Sequence, residues 1–159
     1  MYLEGGRLSR ESNILRVNIV KVGFTGTRDK LEYSQVQRIE QFLNENLDDI
    51  EVCIHGGCLG ADFIFHTMCK ALKLKTEVYP GHPKYNEKDV SMQANIISTI
   101  RHEAKPFLWR NQDIVDGCDI LIACPKDMSK KGGTWYTIHY CQKRRKPVKL
   151  FLPMGQIND

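Results

Sequence analysis

The sequence has no apolar run that approaches the roughly 18 residues needed by a membrane-spanning helix. Its N-terminus also lacks the succession of basic, apolar and small-residue regions that marks a secretory signal peptide. We therefore expect a soluble protein in the reducing environment of the cytoplasm, with no membrane partner.

Two common phosphate-binding motifs and two common cysteine patterns are also missing. The chain contains neither G-x-G-x-x-G nor a P-loop with Gly-Lys-Ser/Thr. Its six cysteines form no C-x-x-C pair and have no zinc-finger spacing to a pair of histidines. We interpret the cysteines as small buried hydrophobic residues and predict neither a metal site nor a cofactor. A metal site built from His55, Cys58 and His66 is the alternative, although their spacing matches no recognised ligand pattern.

The chain does have enough length and apolar content for one hydrophobic core. It contains 159 residues, of which 42% are hydrophobic, and this accommodates one ordinary domain. The net charge of +4, from 23 basic and 19 acidic residues, permits a phosphate-bearing partner without requiring a long nucleic acid. We expect a flexible arm over residues 1–16, which show no sustained periodicity, and a single domain over residues 17–159.

Short apolar segments alternate with amphipathic segments along most of this domain. The pattern predicts strands in VNIVKVGFTG, EVCIHGG, KTEVYPG, CDILIACP and KPVKLFL, and helices in SQVQRIEQFLNENL, ADFIFHTMCKALKL, LWRNQDIVDG and TWYTIHYCQKRR. Ser34 and Gln37 stand at capping-box spacing in the first helix, and a further helix is expected around Val90 to His102. Because strands and helices alternate, the predicted fold class is α/β: a three-layer Rossmann-like domain with a mostly parallel sheet.

Ligands of such sheets bind outside the carboxyl ends of the strands, so the residues that follow each strand form the candidate site. After the first strand, GFTGTRD supplies Gly23 and Gly26 for a tight turn, and Thr25 and Thr27 as hydroxyl donors. Arg28 adds a cation that can meet phosphate oxygens with two parallel hydrogen bonds. The alternative is an ordinary turn between a strand and a helix, with an exposed arginine.

The loop HGGCLGAD connects the second strand to the next helix, where free backbone N–H groups and the helix dipole favour an anion. Its candidate ligand-binding residues are His55, Gly56, Gly57, Gly60, Ala61 and Asp62. Asp62 has two alternative roles, as the N-cap of the helix or as an acid that binds a ribose hydroxyl or activates water. His66 lies one helical turn after Asp62, so a structural Asp–His hydrogen bond is as compatible with the spacing as catalysis.

The segment FLWRNQD places a cation and an amide beside aromatic residues. Arg110 and Asn111 can bracket a phosphate while the neighbouring rings stack a base. The alternative places Trp109 in the core and Arg110 in solvent.

The segment KKGGTWYT repeats the pattern of glycines before a helix. Gly132 and Gly133 open the helix, and Thr134 can cap it and bind phosphate through its hydroxyl and the following amides. The basic run KRRK at residues 143–146 ends this helix, where cations complement the dipole.

Taken in order, these motifs resemble the SLOG superfamily of Rossmann-like nucleotide-binding domains, which includes DprA-like proteins and the LOG phosphoribohydrolases. The resemblance extends over roughly residues 17–151 and is carried by GFTGTR, HGGCLGADFIFH, FLWRNQDIVDGCDILIACP and GGTWYTIHYCQKRRKPV. GADFIFH is similar to the G-[IA]-D-x-x-x-H segment of DprA-like members, and FLWRN is similar to their Arg-Asn element.

The resemblance implies a nucleotide or nucleotide-derived ligand at the carboxyl edge of the sheet, with its phosphate at the Gly132 to Thr134 loop. The LOG enzymes, which cut the N-glycosidic bond of nucleoside 5′-monophosphates, carry P-G-G-x-G-T-x-x-E. Here Thr137 stands where that glutamate would fall. In a hydrolase, Asp62, Asp113 or Asp116 must therefore supply the carboxylate; we take Asp62 and Asp116 as the candidate catalytic residues.

Three functions are compatible with these patterns. The first is a nucleotide sensor or sequestering module, the second is a nucleotide N-glycosidase with a relocated acid, and the third is DprA-like binding of single-stranded nucleic acid. The sequence leaves open whether the protein is an enzyme. We expect a homo-oligomer, as in SLOG relatives.

Overall fold

The computed structural model describes residues 20–82, 98 and 100–154, in which strands and helices alternate. The strands are β1 Val20–Gly26, β2 Ile50–His55, β3 Thr76–Val78, β4 Ile100–Arg101, β5 Ile120–Cys124 and β6 Val148–Leu150. The helices are α1 Tyr33–Glu45, α2 Ala61–Ala71, α3 Phe107–Gly117 and α4 Gly133–Lys143, with a 3-10 turn at Leu47–Asp49. The predicted arm over residues 1–16 lies outside the described residues.

The helix expected around Val90 to His102 also falls mostly outside the described residues. Its C-terminal part is wrong, because Ile100–Arg101 forms strand β4. These two residues pair in parallel with Glu77 and Val78 at the edge of the sheet. Pairing with a neighbouring strand thus decides their conformation, and a local sequence pattern does not reveal this partner.

The strands of the described residues form one parallel sheet in the order β4-β3-β2-β1-β5-β6. From β1 the chain builds outward through β2, β3 and β4, and then returns to the other side of β1 with β5. The strand order therefore reverses between β1 and β5. In open α/β sheets a crevice forms at this point, outside the carboxyl ends of the strands.

Helices cover both faces of the sheet and make three layers. On one face, α1 and α2 enclose a core that contains Phe24, Phe42 and Phe65, with the Phe24 and Phe65 rings stacked at 4.3 Å. On the other face, α3 and α4 enclose a core that contains Ile54 and Trp135. The predicted three-layer Rossmann-like fold is therefore confirmed.

All six cysteines are buried and form no disulfide, as the sequence indicated. Each thiol fills apolar space between the sheet and a helix or lies beside the loop after β2. None of the helices in the described ranges is both long and apolar enough to cross a lipid bilayer.

The capping box of helix α1 lies two residues earlier than predicted. Its N-cap is Glu32, whose backbone N–H donates to Gln35 Oε1 at 3.1 Å, so the Ser34 and Gln37 pairing was wrong. The reason is tertiary: Gln35 is buried, and its Nε2 donates to the carbonyl oxygens of Pro125 at 2.9 Å and Phe151 at 2.8 Å. One side chain thus joins α1 to the segments that follow β5 and β6.

Candidate functional site

A cleft of about 350 Å³ lies at the switch point between β1 and β5. The carboxyl end of β1 forms its floor, the loop after β5 and the start of α4 form one wall, and α3 with the loop after β2 forms the other. Its lining residues are Phe24, Thr25, Gly26, Thr27, Arg28, Asp29, Cys58, Asp62, Arg110, Asn111, Ile114, Pro125, Lys126, Asp127, Ser129, Lys131, Gly132, Gly133, Thr134 and Trp135.

Arg110 is built into the protein interior and is only 4% exposed. Nη1 donates to Gly56 O at 2.7 Å and Tyr79 O at 3.0 Å, Nη2 lies 2.7 Å from Cys58 Sγ, and Nε donates to Asn111 Oδ1 at 2.6 Å. The alternative that placed Arg110 in solvent was wrong. Burial of the guanidinium is tolerated here because each of its three nitrogen atoms donates to an acceptor of the protein.

The glycines Gly56 and Gly60 after β2 permit close packing within the protein, and Gly56 makes room for this guanidinium. A Cβ on Gly56 would lie 2.3 Å from Arg110 Nη1, so no larger residue fits without moving the arginine. At Gly60 a left-handed backbone (φ +82°) brings the Cα against Arg28 O. Of the predicted cradle, only Asp62 lines the cleft; the other members, His55, Gly56, Gly57, Gly60 and Ala61, are not among its lining residues.

Asp62 lies in the first turn of α2 and not at its N-cap, which is Gly60. The capping role was therefore wrong in its strict form, but Asp62 Oδ2 accepts the backbone N–H of Cys58 at 3.1 Å and so shapes the same loop. Burial raises the pKa of Asp62, while the Arg110 guanidinium and the N–H groups of Cys58 and Gly56 act in the opposite direction. The result is a cleft-lining carboxyl group held towards its protonated form.

His55 and His66 form a buried imidazole pair behind the cleft. Gly57 N–H donates to His55 Nδ1 at 3.0 Å, so His55 must carry its proton on Nε2 and donate it to His66 Nδ1 at 2.9 Å. Burial, together with the nearby His66 and Arg110, lowers the pKa of His55 to about 3. Among the described residues, no group of three or more His, Cys, Asp or Glu side chains is placed to hold a metal ion.

Of the residues predicted at the end of β1, Thr25, Gly26 and Arg28 line the cleft. Gly23 is not among its lining residues. A Cβ on Gly23 would lie 2.8 Å from Cys118 Sγ, so this glycine permits close packing inside the core. The Arg28 guanidinium lies 5.0 Å from the centre of the Phe107 ring, which orients it beside the opening.

The start of α4 lines the cleft with Gly132, Gly133, Thr134 and Trp135. Gly132 is the N-cap, with φ +92° and ψ 179°, a backbone conformation available essentially to glycine alone. Thr134 is the second residue of the helix, so its predicted capping role was wrong, although it lines the cleft. Trp135 Nε1 donates to Asp127 O at 2.9 Å and holds the preceding loop against the helix.

Asp116 and Asp113 do not line the cleft. Asp116 lies at the far end of α3, where it accepts the Tyr140 hydroxyl at 3.0 Å and an ion pair from Arg144 at 3.3 Å. Asp113 pairs with Lys105 at 2.8 Å. The structure therefore brings only one of the three candidate carboxylates, Asp62, to the cleft.

Two other interpretations change with the structure. Trp109 is 63% exposed, so its placement in the core was wrong. Within KRRK, Lys146 Nζ donates to the carbonyl oxygens of Val115, Asp116 and Cys118 at 2.8–3.1 Å. This lysine thus complements the C-terminal dipole of α3 rather than that of its own helix.

The sequence interpretation missed several cleft residues. They are Asp29, Cys58, Lys126, Asp127, Ser129 and Lys131. Most of them follow β1 or β5, so their position just after a strand at the switch point was the available signal. Asp29 and Lys126, which follow these two different strands, meet at 3.4 Å across the opening.

Comparison with known proteins identifies solved structures with a similar fold. No protein-family model and no curated protein matches the sequence. Among solved structures, the molybdenum cofactor binding protein of the phototrophic bacterium Rippkaea orientalis is similar with a TM-score of 0.63 and 20% identity, over 87% of this chain and 79% of that chain. DNA processing protein A (DprA) of Streptococcus pneumoniae is similar with a TM-score of 0.63 and 21% identity, over 89% of this chain and 52% of that chain.

A third structure, the structural genomics target TM1055, has a TM-score of 0.55 and 16% identity, over 80% of this chain and 71% of that chain. The chain thus spans about half the length of DprA and most of the other two proteins. At these identities the similarity concerns the fold. The class is a Rossmann-like α/β domain, and its fold is similar to that of these three proteins, DprA among them.

Proposed function

We propose that the chain binds a nucleotide or nucleotide-derived small molecule in the cleft, as a sensor or sequestering protein. The observation that carries the proposal is the position of the α4 start, which opens into a cleft at the switch point of the sheet. First-turn amides have no partner within their own helix, and together with the helix dipole they favour a phosphate group.

Side-chain charge at the cleft supports the same ligand class. Arg28, Lys126 and Lys131 all line the cleft, and Lys126 forms an exposed ion pair with Asp29. The volume of about 350 Å³ is near the lower end of the range of about 300–1,000 Å³ typical of small-molecule sites. A small phosphorylated ligand fits this volume better than a polymer does.

Thermal stabilisation and calorimetry test this proposal. AMP, GMP, CMP, UMP and ADP-ribose are compared with the matching nucleosides, and a phosphate-bearing ligand should raise Tm while its nucleoside does so less. Lys131→Ala should weaken binding, whereas Lys143→Ala, which removes one charge at the other end of α4, should not. If none of these nucleotides binds, the proposed function is wrong.

Analytical ultracentrifugation of the same samples tests the expected homo-oligomer.

Nucleotide N-glycosidase activity is the second candidate, and Asp62 favours it. This carboxyl group lines the cleft, and burial raises its pKa, so it can retain a proton for a departing base. Release of free base from the monophosphates, followed by chromatography, should be abolished by Asp62→Asn. Binding without release would leave the chain as a sensor or sequestering protein.

Single-stranded nucleic acid is the alternative ligand, because one similar structure is a DNA processing protein. The observation in its favour is the pair of exposed apolar residues at the start of α3, Leu108 (47% exposed) and Trp109 (63% exposed). The affinity of an oligonucleotide should fall steeply with salt, whereas a single mononucleotide should show a shallow dependence. Loss of oligonucleotide binding in Trp109→Ala, with unchanged mononucleotide binding, would support this alternative.

A further inference from the structure

The buried arginine fixes the orientation of the neighbouring amide. Arg110 Nε–H can only donate, so the Asn111 atom that lies 2.6 Å from it must be Oδ1. The hydrogen-bond network thereby decides the orientation of a group whose oxygen and nitrogen otherwise look alike. The amide nitrogen of Asn111 must point away from the arginine.

That nitrogen points towards the start of α4. A Cβ on Gly133 would lie 3.9 Å from Asn111 Nδ2, so the amide group sits beside the first residue of the helix. Asn111 lines the cleft together with Gly133 and Thr134. Within residues 20–82, 98 and 100–154, Nδ2 has no hydrogen-bond partner.

The Arg110 guanidinium, in contrast to Asn111 Nδ2, donates mainly to acceptors within the protein. Its contacts with Gly56 O, Tyr79 O, Cys58 Sγ and Asn111 Oδ1 use four of its five N–H donors on protein acceptors and leave one N–H on Nη2. The guanidinium thus holds the wall together with most of its donors, and an anion that bound it in the usual two-bond geometry would have to displace a buried contact.

We propose that Asn111 is the side chain that binds the anionic group of the ligand, through Nδ2, and that Arg110 is a positioning residue acting through it. This inference rests on the proposed function and specifies its anion site. Nδ2 has two N–H donors, and its neighbour at the α4 start is Gly133, in the first turn of the helix, where the backbone N–H groups are also donors. Such a set selects a group that only accepts hydrogen bonds, as a phosphomonoester dianion does, over a hydroxyl group that must also donate.

The variant Asn111→Asp tests the amide nitrogen separately from the amide oxygen. Aspartate keeps an oxygen for Arg110 Nε, so the variant should fold and keep a Tm close to that of the wild type. It loses the two N–H donors and places a negative charge towards the anion. The affinity for the tightest-binding of AMP, GMP, CMP and UMP should fall at least about 10-fold. Asn44→Asp adds the same charge at an exposed position of α1, outside the cleft, and should leave the affinity unchanged.

Calorimetry suits this comparison because the fitted stoichiometry reports the competent fraction of protein, so partial unfolding of a variant does not distort Kd. Equal affinity of Asn111→Asp and the wild type would overturn the inference while leaving nucleotide binding intact. Absence of binding by the wild type would overturn the proposed function and this inference together.

Arg110→Lys tests the positioning role. Lysine keeps the charge but lacks the planar fork, so it cannot hold Asn111 Oδ1 while bonding the two carbonyl oxygens. Binding of the same monophosphate should weaken in Arg110→Lys, and the double variant Arg110→Lys/Asn111→Asp should bind no more weakly than Asn111→Asp alone. If the two losses add in full, Arg110 contacts the anion directly and the positioning role is wrong.

Discussion

The guanidinium of Arg110 packs directly on the backbone of Gly56, whose carbonyl oxygen accepts Nη1 at 2.7 Å. The contact joins α3 to the loop after β2 and closes one wall of the cleft from behind. The glycine is therefore a packing partner of the arginine, and this relationship determines how both positions respond to substitution.

Gly56→Ala should destabilise the protein by about 1–3 kcal/mol, because its Cβ would lie 2.3 Å from Nη1 and force the guanidinium to move. Gly133→Ala is the matched control: its nearest neighbour would be 3.9 Å away, an ordinary contact distance. Urea unfolding of both variants measures the difference. Equal stability of the two would show that the loop after β2 can yield without cost.

Arg110→Ala should cost about 3 kcal/mol or more, because the buried carbonyl oxygens of Gly56 and Tyr79 lose their donor and a cavity remains. Lys105→Ala removes a cation from the more exposed ion pair with Asp113 and should cost about 0.5 kcal/mol. Chemical denaturation gives both values. A small effect of Arg110→Ala would mean that water replaces the guanidinium in this wall.

The neutral His55 should make the protein sensitive to acid. Its pKa is lowered to about 3 in the folded chain, so the unfolded chain binds a proton first as the pH falls below the ordinary histidine value. This group alone should reduce the free energy of unfolding by up to about 1.4 kcal/mol per pH unit between about pH 6.5 and pH 3.

His55→Asn should lower stability at pH 7, because the bond to His66 is lost, but should flatten that acid dependence. Unfolding free energies measured from pH 4 to 7 test this, with the exposed His139→Asn as the control. Parallel curves for the wild type and His55→Asn would contradict the assignment of a neutral imidazole.

Asp62→Asn should be as stable as the wild type at acid pH and more stable at higher pH. Asparagine still offers an oxygen to Cys58 N–H, and it cannot ionise in the buried position. Because the pKa of Asp62 is raised, the folded wild type holds its proton longer than the unfolded chain, so its stability falls as pH rises through that raised pKa. The stability difference between the two chains should therefore grow with pH, whereas Asp48→Asn, at an exposed position, should show no such trend.

Local pattern was enough to predict the fold and much of the edge of the sheet. Strand and helix periodicity, together with the positions that follow each strand, pointed to Thr25, Arg28 and the start of α4, because these features depend on neighbours in sequence. Asp116 could have been set aside on the same basis. Six residues after Arg110 on a helix amount to about 9 Å along its axis, away from the sheet edge.

The internal contacts of the wall could not be predicted in this way. The partner of Arg110 lies 54 residues earlier in the chain, and the interior position of a fully charged side chain depends on acceptors that only the folded chain assembles. For the same reason, Gly56, which resembled part of a phosphate cradle, proved to make room for a side chain. Gln35 was likewise hidden, because its two carbonyl partners lie 90 and 116 residues away.

The buried amide of Gln35 also affects how the cleft receives a ligand. It holds the carbonyl oxygen of Pro125, a lining residue, and that of Phe151 on the same nitrogen, so the wall after β5 cannot shift without breaking buried hydrogen bonds. A preorganised wall loses little conformational entropy on association. We therefore expect the cleft to bind ligands that already fit its shape, without a closing movement of the segment after β5.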